Sequence, residues 1–129
     1  MIRDTVTLDV RMDRIVLSVP PGPEFHGALR LVVGGIGARS QLGYEQVNEL
    51  QLAVETVVAQ RRPAGSALVV RADVDDRSVS LLVGPFEPED DPAGFHVAER
   101  LVGSLHVVTL EDGQWLELSS TNERAGAAT

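Results

Sequence analysis

The stretch from Tyr44 to Arg61, YEQVNELQLAVETVVAQR, decides the fold. Val47, Leu50, Val54, Val57 and Val58 recur at helical spacing, which gathers the apolar side chains on one face of an α-helix ending near Arg61. No other segment has so clear a period. A helix with one apolar face buries it against a second layer, so the flanking segments must supply one.

Upstream, Leu42-Gly43-Tyr44 breaks the chain, and before it Phe25, Ala28, Leu29, Val32, Val33 and Ile36 recur at steps of three and four. That spacing predicts a first helix over about Pro23 to Ser40, opened by Pro23-Glu24 with an acidic first turn. Pro20, Pro21, Gly22 and Pro23 forbid continued sheet pairing. Ahead of them, Thr5 to Val10 and Ile15 to Val19 alternate apolar and polar residues with a period of two, as a strand hairpin does.

Downstream, Pro63 to Ser66 punctuates, and Ala67 to Ala72 and Val79 to Val83 read as strands joined by Asp73-Val74-Asp75-Asp76-Arg77. Gly84 to Pro92 reads as an acidic loop. A third helix fits about Gly94 to Ser104, and His106–Leu110 and Trp115–Leu118 flank an Asp112-Gly113 hairpin turn. Hairpins segregated from a helix pair predict an α+β fold, a two-layer sandwich with helices on one sheet face. Residues 1–119 form the expected single domain, and residues 120–129 a flexible tail.

Composition narrows the function. The 129 residues are 43% hydrophobic and 23% charged, and mean hydropathy is near zero, as in a globular chain with one core. All 11 cations are arginine, set against 19 carboxylates, for a net charge of -8. Counterion release on nucleic acid needs clustered cations, so direct nucleic-acid binding is disfavoured, and a basic protein partner suits the surface better. With no cysteine there is no disulfide, thiolate nucleophile or sulfur-ligated zinc. The charged start MIRDTVTLDV lacks a secretion signal's apolar run, and no run is long enough for a membrane span, so a cytoplasmic protein is expected.

Several sites fail on spacing. Val32-Val33-Gly34-Gly35-Ile36-Gly37-Ala38-Arg39-Ser40 resembles a dinucleotide fingerprint, but Ser40 occupies the third glycine position and the segment reads as helix, so small residues packed against the sheet explain it better. His26, His96 and His106 have no ligand spacing, and no metal site is expected. Asp73, Asp75 and Asp76 open like a calcium loop, yet the loop's glycine is absent and Gly84 stands where its closing glutamate belongs; a solvated turn is expected. No serine sits in a G-x-S-x-G elbow. Arg39, Arg61 and Arg62 read as surface charges.

Val19-Pro20, Pro23-Glu24-Phe25, Gly27 and Arg30, followed by Gly43-Tyr44 and Leu50-Gln51-Leu52-Ala53-Val54-Glu55, resemble the first half of a bacterial anti-sigma factor serine kinase, a family of the GHKL (histidine kinase-like) ATPase superfamily. The resemblance follows the element order from Ile15 to Leu118 and is most specific over Ile15 to Glu55. It implies a Bergerat-type α/β sandwich with a mixed, mostly antiparallel sheet. It also implies Mg-ATP binding, phosphorylation of a serine on an anti-anti-sigma antagonist, sequestration of a sigma factor, and a homodimer.

Carried over residue by residue, that chemistry is incomplete. The family's glutamate and asparagine lie four apart on the second long helix, the acid as general base and the amide oxygen holding Mg²⁺. Glu55 matches, a relic general base; Ala59 stands at the asparagine and has no oxygen for a metal. In the family's D-x-G-x-G motif before Phe86, the positions are Leu81, Val83 and Pro85. An adenine edge unpaired against leucine costs about 1–3 kcal/mol. Of the phosphate-cradling turn, Pro92-Ala93-Gly94-Phe95, only Gly94 agrees, as the remaining nucleotide-binding candidate. The lid is reduced to Glu87–Asp91, whose four carboxylates repel a triphosphate. Arg30 aligns with a first-helix arginine that contacts the sigma factor or antagonist, and its planar fork suits a protein interface.

The expectation is therefore an anti-sigma-like, partner-switching regulator of transcription, a pseudokinase that acts by binding a sigma factor or antagonist and needs no cofactor. Its enzymatic alternative is an active serine-protein kinase using Mg-ATP.

Overall fold

The structure, a computed structural model, describes residues 6–11, 13–88 and 98–122. Six strands form one open sheet: β1 (Thr7–Arg11), β2 (Arg14–Val19), β3 (Leu68–Val74), β4 (Ser78–Phe86), β5 (Ser104–Leu110) and β6 (Gly113–Thr121). Their order across the sheet is β1-β2-β3-β4-β6-β5. All five pairings are antiparallel, so the described sheet has no parallel component and is not the mixed sheet expected.

Two helices connect β2 to β3. A 3₁₀ turn, Pro23–Phe25, leads into α1 (His26–Ala38), and α2 runs from Tyr44 to Gln60. Pro23 sits where its missing N–H costs nothing, and the Phe25 N–H closes the turn on the Gly22 carbonyl at 3.0 Å. The first helix is thus split, because proline with Glu24 starts a tight turn before regular α-geometry begins. At α2 the Gly43 N–H donates to Gln46 Oε1 at 3.1 Å, which satisfies a backbone donor at the helix start.

Period-two burial shows which sheet face the helices cover. Ile15, Leu17 and Val19 of β2, Leu68, Val70, Ala72 and Val74 of β3, and Val79, Leu81 and Val83 of β4 are buried. They share one core with Leu29, Val33 and Ile36 of α1 and Leu50, Val54 and Val57 of α2. The intervening Arg71, Asp73, Ser80 and Leu82 stay partly or fully exposed on the opposite face. This is an α+β arrangement with helices packed on one side of an antiparallel sheet, and the amphipathic period of α2 is its cause.

Glycine makes two of the close approaches. A Cβ on Gly34 would stand 2.6 Å from Gln51 Nε2, and one on Gly37 2.7 Å from a Val47 methyl. These small residues therefore let α1 approach α2, not the sheet as expected. On the open face, a Cβ on Gly84 would fall 2.8 Å from the Trp115 ring, so the indole lies flat against β4. Asp112 accepts from Trp115 Nε1 at 2.8 Å and fixes the ring's other edge. Gly113 (φ +144°) closes the expected β5–β6 turn.

Several boundaries differ from expectation. β4 extends through Pro85 to Phe86, with a register shift against β6 between Val83 and Phe86, so the first part of the expected acidic loop is strand. The third helix is described only at 98–101, and β5 already begins at Ser104. Ser120 and Thr121, expected in the flexible tail, belong to β6. They are held by long-range bonds: Gln46 Nε2 donates to the Thr121 carbonyl at 2.8 Å, the Asn122 N–H to the Arg77 carbonyl at 2.7 Å, and Asn122 Nδ2 to the Gln41 carbonyl. No described helix is long and apolar enough to cross a membrane.

Candidate functional site

The antiparallel packing of α1 on α2 brings two of the expected site residues together. Arg30, one turn into α1, places Nη1 3.7 Å from Oε1 of Glu55 on α2. The Arg30 side chain is 57% exposed and the Glu55 side chain 30%, so the pair sits on the outer seam of the helix hairpin. One turn further along the same seam, Gln51 Nε2 donates to the Arg30 carbonyl at 2.9 Å and locks the register of the two helices. An exposed pair of this kind contributes about 0–1 kcal/mol to stability. It also gives the Glu55 carboxylate a fixed cation for a neighbour.

The positions around Glu55 offer little to a nucleotide. Ala59, one turn on, is exposed and contributes a methyl group. It borders a hollow of about 180 Å³ walled by Pro20, Pro21, Pro23 and Pro63 together with His26. Sites for drug-sized ligands run to roughly 300–1,000 Å³, so this hollow is undersized for a nucleoside triphosphate. Leu81 and Val83 are fully buried and point into the common core, while Pro85 is buried at the end of β4. No polar edge for a purine arises from these three. Gly94, the expected phosphate-contacting residue, lies outside the described residues, as do the rest of Pro92–Phe95 and His96. Among the described residues no group of three or more His, Cys, Asp or Glu could hold a metal ion.

Arg61 corrects the sequence expectation of a surface charge. It is 6% exposed. Its Nη2 donates to Gln114 Oε1 at 2.6 Å and to the Glu87 carbonyl at 3.0 Å, and its guanidinium carbon lies 5.7 Å from the centroid of the Phe86 ring. A buried guanidinium needs such partners to offset its lost hydration. The signal was present in the sequence: Arg61 follows Val57 by four residues and Val58 by three, and so continues the apolar stripe of α2. Around it the chain after α2 is stitched to the end of β4, the Ala64 N–H donating to the Pro85 carbonyl at 3.0 Å and the Glu87 N–H to the Arg62 carbonyl at 2.8 Å.

The β3–β4 connection is a turn, as expected, but a shorter one, since Asp73 and Val74 pair with Ser80 and Val79 as the end of β3. Asp75 Oδ1 accepts from the Arg77 and Ser78 backbone N–H groups at 2.9 and 2.8 Å, and Oδ2 from the Ser78 hydroxyl at 2.8 Å. These bonds, led by that from the Arg77 N–H, hold the Asp75 carboxyl below its ordinary value of 3.8. Its oxygens are occupied by the turn's own donors.

Against known protein families and curated proteins, the sequence matches none.

Proposed function

We propose that the chain is an anti-sigma-like regulatory protein of GHKL type, which acts by binding a protein partner and has lost the nucleotide chemistry of kinases it resembles. The single observation that supports this most is Ala59, one turn beyond Glu55: an exposed methyl group stands where the resemblance calls for a metal-binding asparagine. Further support comes from Leu81 and Val83, whose burial in the core leaves hydrocarbon where an adenine-binding aspartate and glycine would be required.

Such a protein works by occupancy. Its excess of carboxylates steers a basic partner toward it, and Arg30, more than half exposed on the helix seam, supplies a planar anchor for an acidic group of that partner. A sigma factor held this way is released when an antagonist competes for the same surface, with relative affinities setting the balance. Co-purification from the native host tests this. A sigma factor or antagonist should accompany the wild-type chain and be lost on Arg30→Glu; an unchanged set of partners would contradict the assignment of Arg30.

A further inference from the structure

The hollow beside Ala59, undersized for a nucleotide, is close in size to one aromatic ring. Its volume is about 180 Å³, and an apolar protein cavity of about 150 Å³ takes up one benzene molecule. Three parts of the chain meet around it: the β2–α1 connection with Pro20, Pro21 and Pro23, the end of α2 with Ala59, and the α2–β3 connection with Pro63. Val58 and Leu68, both buried in the core, complete the apolar lining. Of the described residues that line it, only His26 has a polar side chain. His26 opens α1 and is half-buried, and among the described residues no hydrogen bond or ion pair occupies its imidazole.

We propose that this hollow binds a free small molecule with one unfused aromatic ring and one hydroxyl group, a simple phenol, whose ring stacks on the prolines and whose hydroxyl pairs with the His26 imidazole. The volume sets the size of the ring. His26 selects the hydroxyl: a neutral imidazole has one donor and one acceptor nitrogen, and a hydroxyl serves either, whereas a carboxylate only accepts and an ammonium only donates. Charge disfavours a carboxylate further, because a chain with a net charge of -8 repels anions. The walls select a free molecule over the tyrosine of a peptide. Pro20, Pro21, Pro23 and Pro63 offer no N–H, so a peptide backbone laid across the mouth would lose water without gaining donors for its carbonyls. A free phenol carries no such backbone. The site goes beyond the regulatory function proposed above and does not rest on it, since neither Arg30 nor Glu55 lines the hollow.

Heteronuclear NMR titration of the full chain with p-cresol tests the site, with toluene, p-toluate and acetyl-Gly-Tyr-Gly-amide as comparators. p-Cresol should give saturable shifts at His26, Val58 and Leu68 in the millimolar range, as befits a ligand of so few atoms. Toluene, which lacks only the hydroxyl, should bind about fivefold more weakly for want of one hydrogen bond. The carboxylate and the peptide should also bind more weakly than p-cresol. These comparisons need no variant. Ala59→Trp, which fills the mouth from an exposed position, should abolish the shifts, and His26→Phe should erase the preference for p-cresol over toluene, with circular dichroism to verify folding. Absence of saturable shifts at these residues, equal binding of toluene, binding that survives Ala59→Trp, a hydroxyl preference that survives His26→Phe, or tighter binding of p-toluate or of the peptide would each overturn the proposal.

Discussion

Arg30 on α1 and Glu55 on α2 face each other at 3.7 Å across the outer seam of the helix hairpin. Position 59, one turn beyond Glu55, carries the methyl group of an exposed alanine and offers no oxygen to a metal ion.

The energetic role of the Arg30–Glu55 pair is small. A double-mutant cycle with Arg30→Ala and Glu55→Ala, read by urea denaturation, should give a coupling of about 0–1 kcal/mol. A coupling of several kcal/mol would mean that the pair is a structural clamp of the hairpin and not an available surface.

Arg61 should behave in the opposite way. Arg61→Ala removes the cation over Phe86 and leaves Gln114 and the Glu87 carbonyl without their donor, which should cost about 2–4 kcal/mol. Arg61→Lys keeps charge and stem but not the fork, and should recover only part of the loss. The urea midpoint measures both, and a loss below about 0.5 kcal/mol would return Arg61 to the class of surface charges.

These two arginines show what the sequence could and could not reveal. The period of Val47 to Val58 located α2 and its buried face, and strand alternation located the sheet, because both depend on local spacing alone. Arg61 was misread because a charged residue at the end of an apolar stripe counts as polar, although its position on the helix was that of a core residue. Ser120 and Thr121 looked like tail because their polar side chains give no burial signal; Gln46 and Asn122 hold that end of β6 through partners far away in the chain. Gly34 and Gly37 were recognisable as close-packing residues, but only the folded helix pair shows that Gln51 and Val47 are what they approach. The placing of Arg30 and Glu55 on the two helices was legible, whereas their pairing depends on how two helices rotate against each other.

Acid should weaken the β3–β4 turn. The Asp75 carboxyl is held below its ordinary value of 3.8, chiefly by the Arg77 N–H, so folding favours its ionised form. That contribution is complete above the unfolded-state value and is lost as pH falls from there through the lower folded-state value. In thermal melts from neutral to strongly acidic pH, Asp75→Asn should be less stable than wild type near neutrality, and the gap should close below about pH 4. A gap that widens on acidification would contradict this sign.

The central claim, that the nucleotide site of the resembling kinases is closed in this chain, is tested most directly by titration calorimetry of the full chain with ATP in the presence and absence of Mg²⁺. Leu81 and Val83 in the core, a methyl group at Ala59 and an arginine beside Glu55 predict no saturable heat at millimolar ATP, with or without the metal. Micromolar binding that requires Mg²⁺ would contradict it and would restore the kinase alternative.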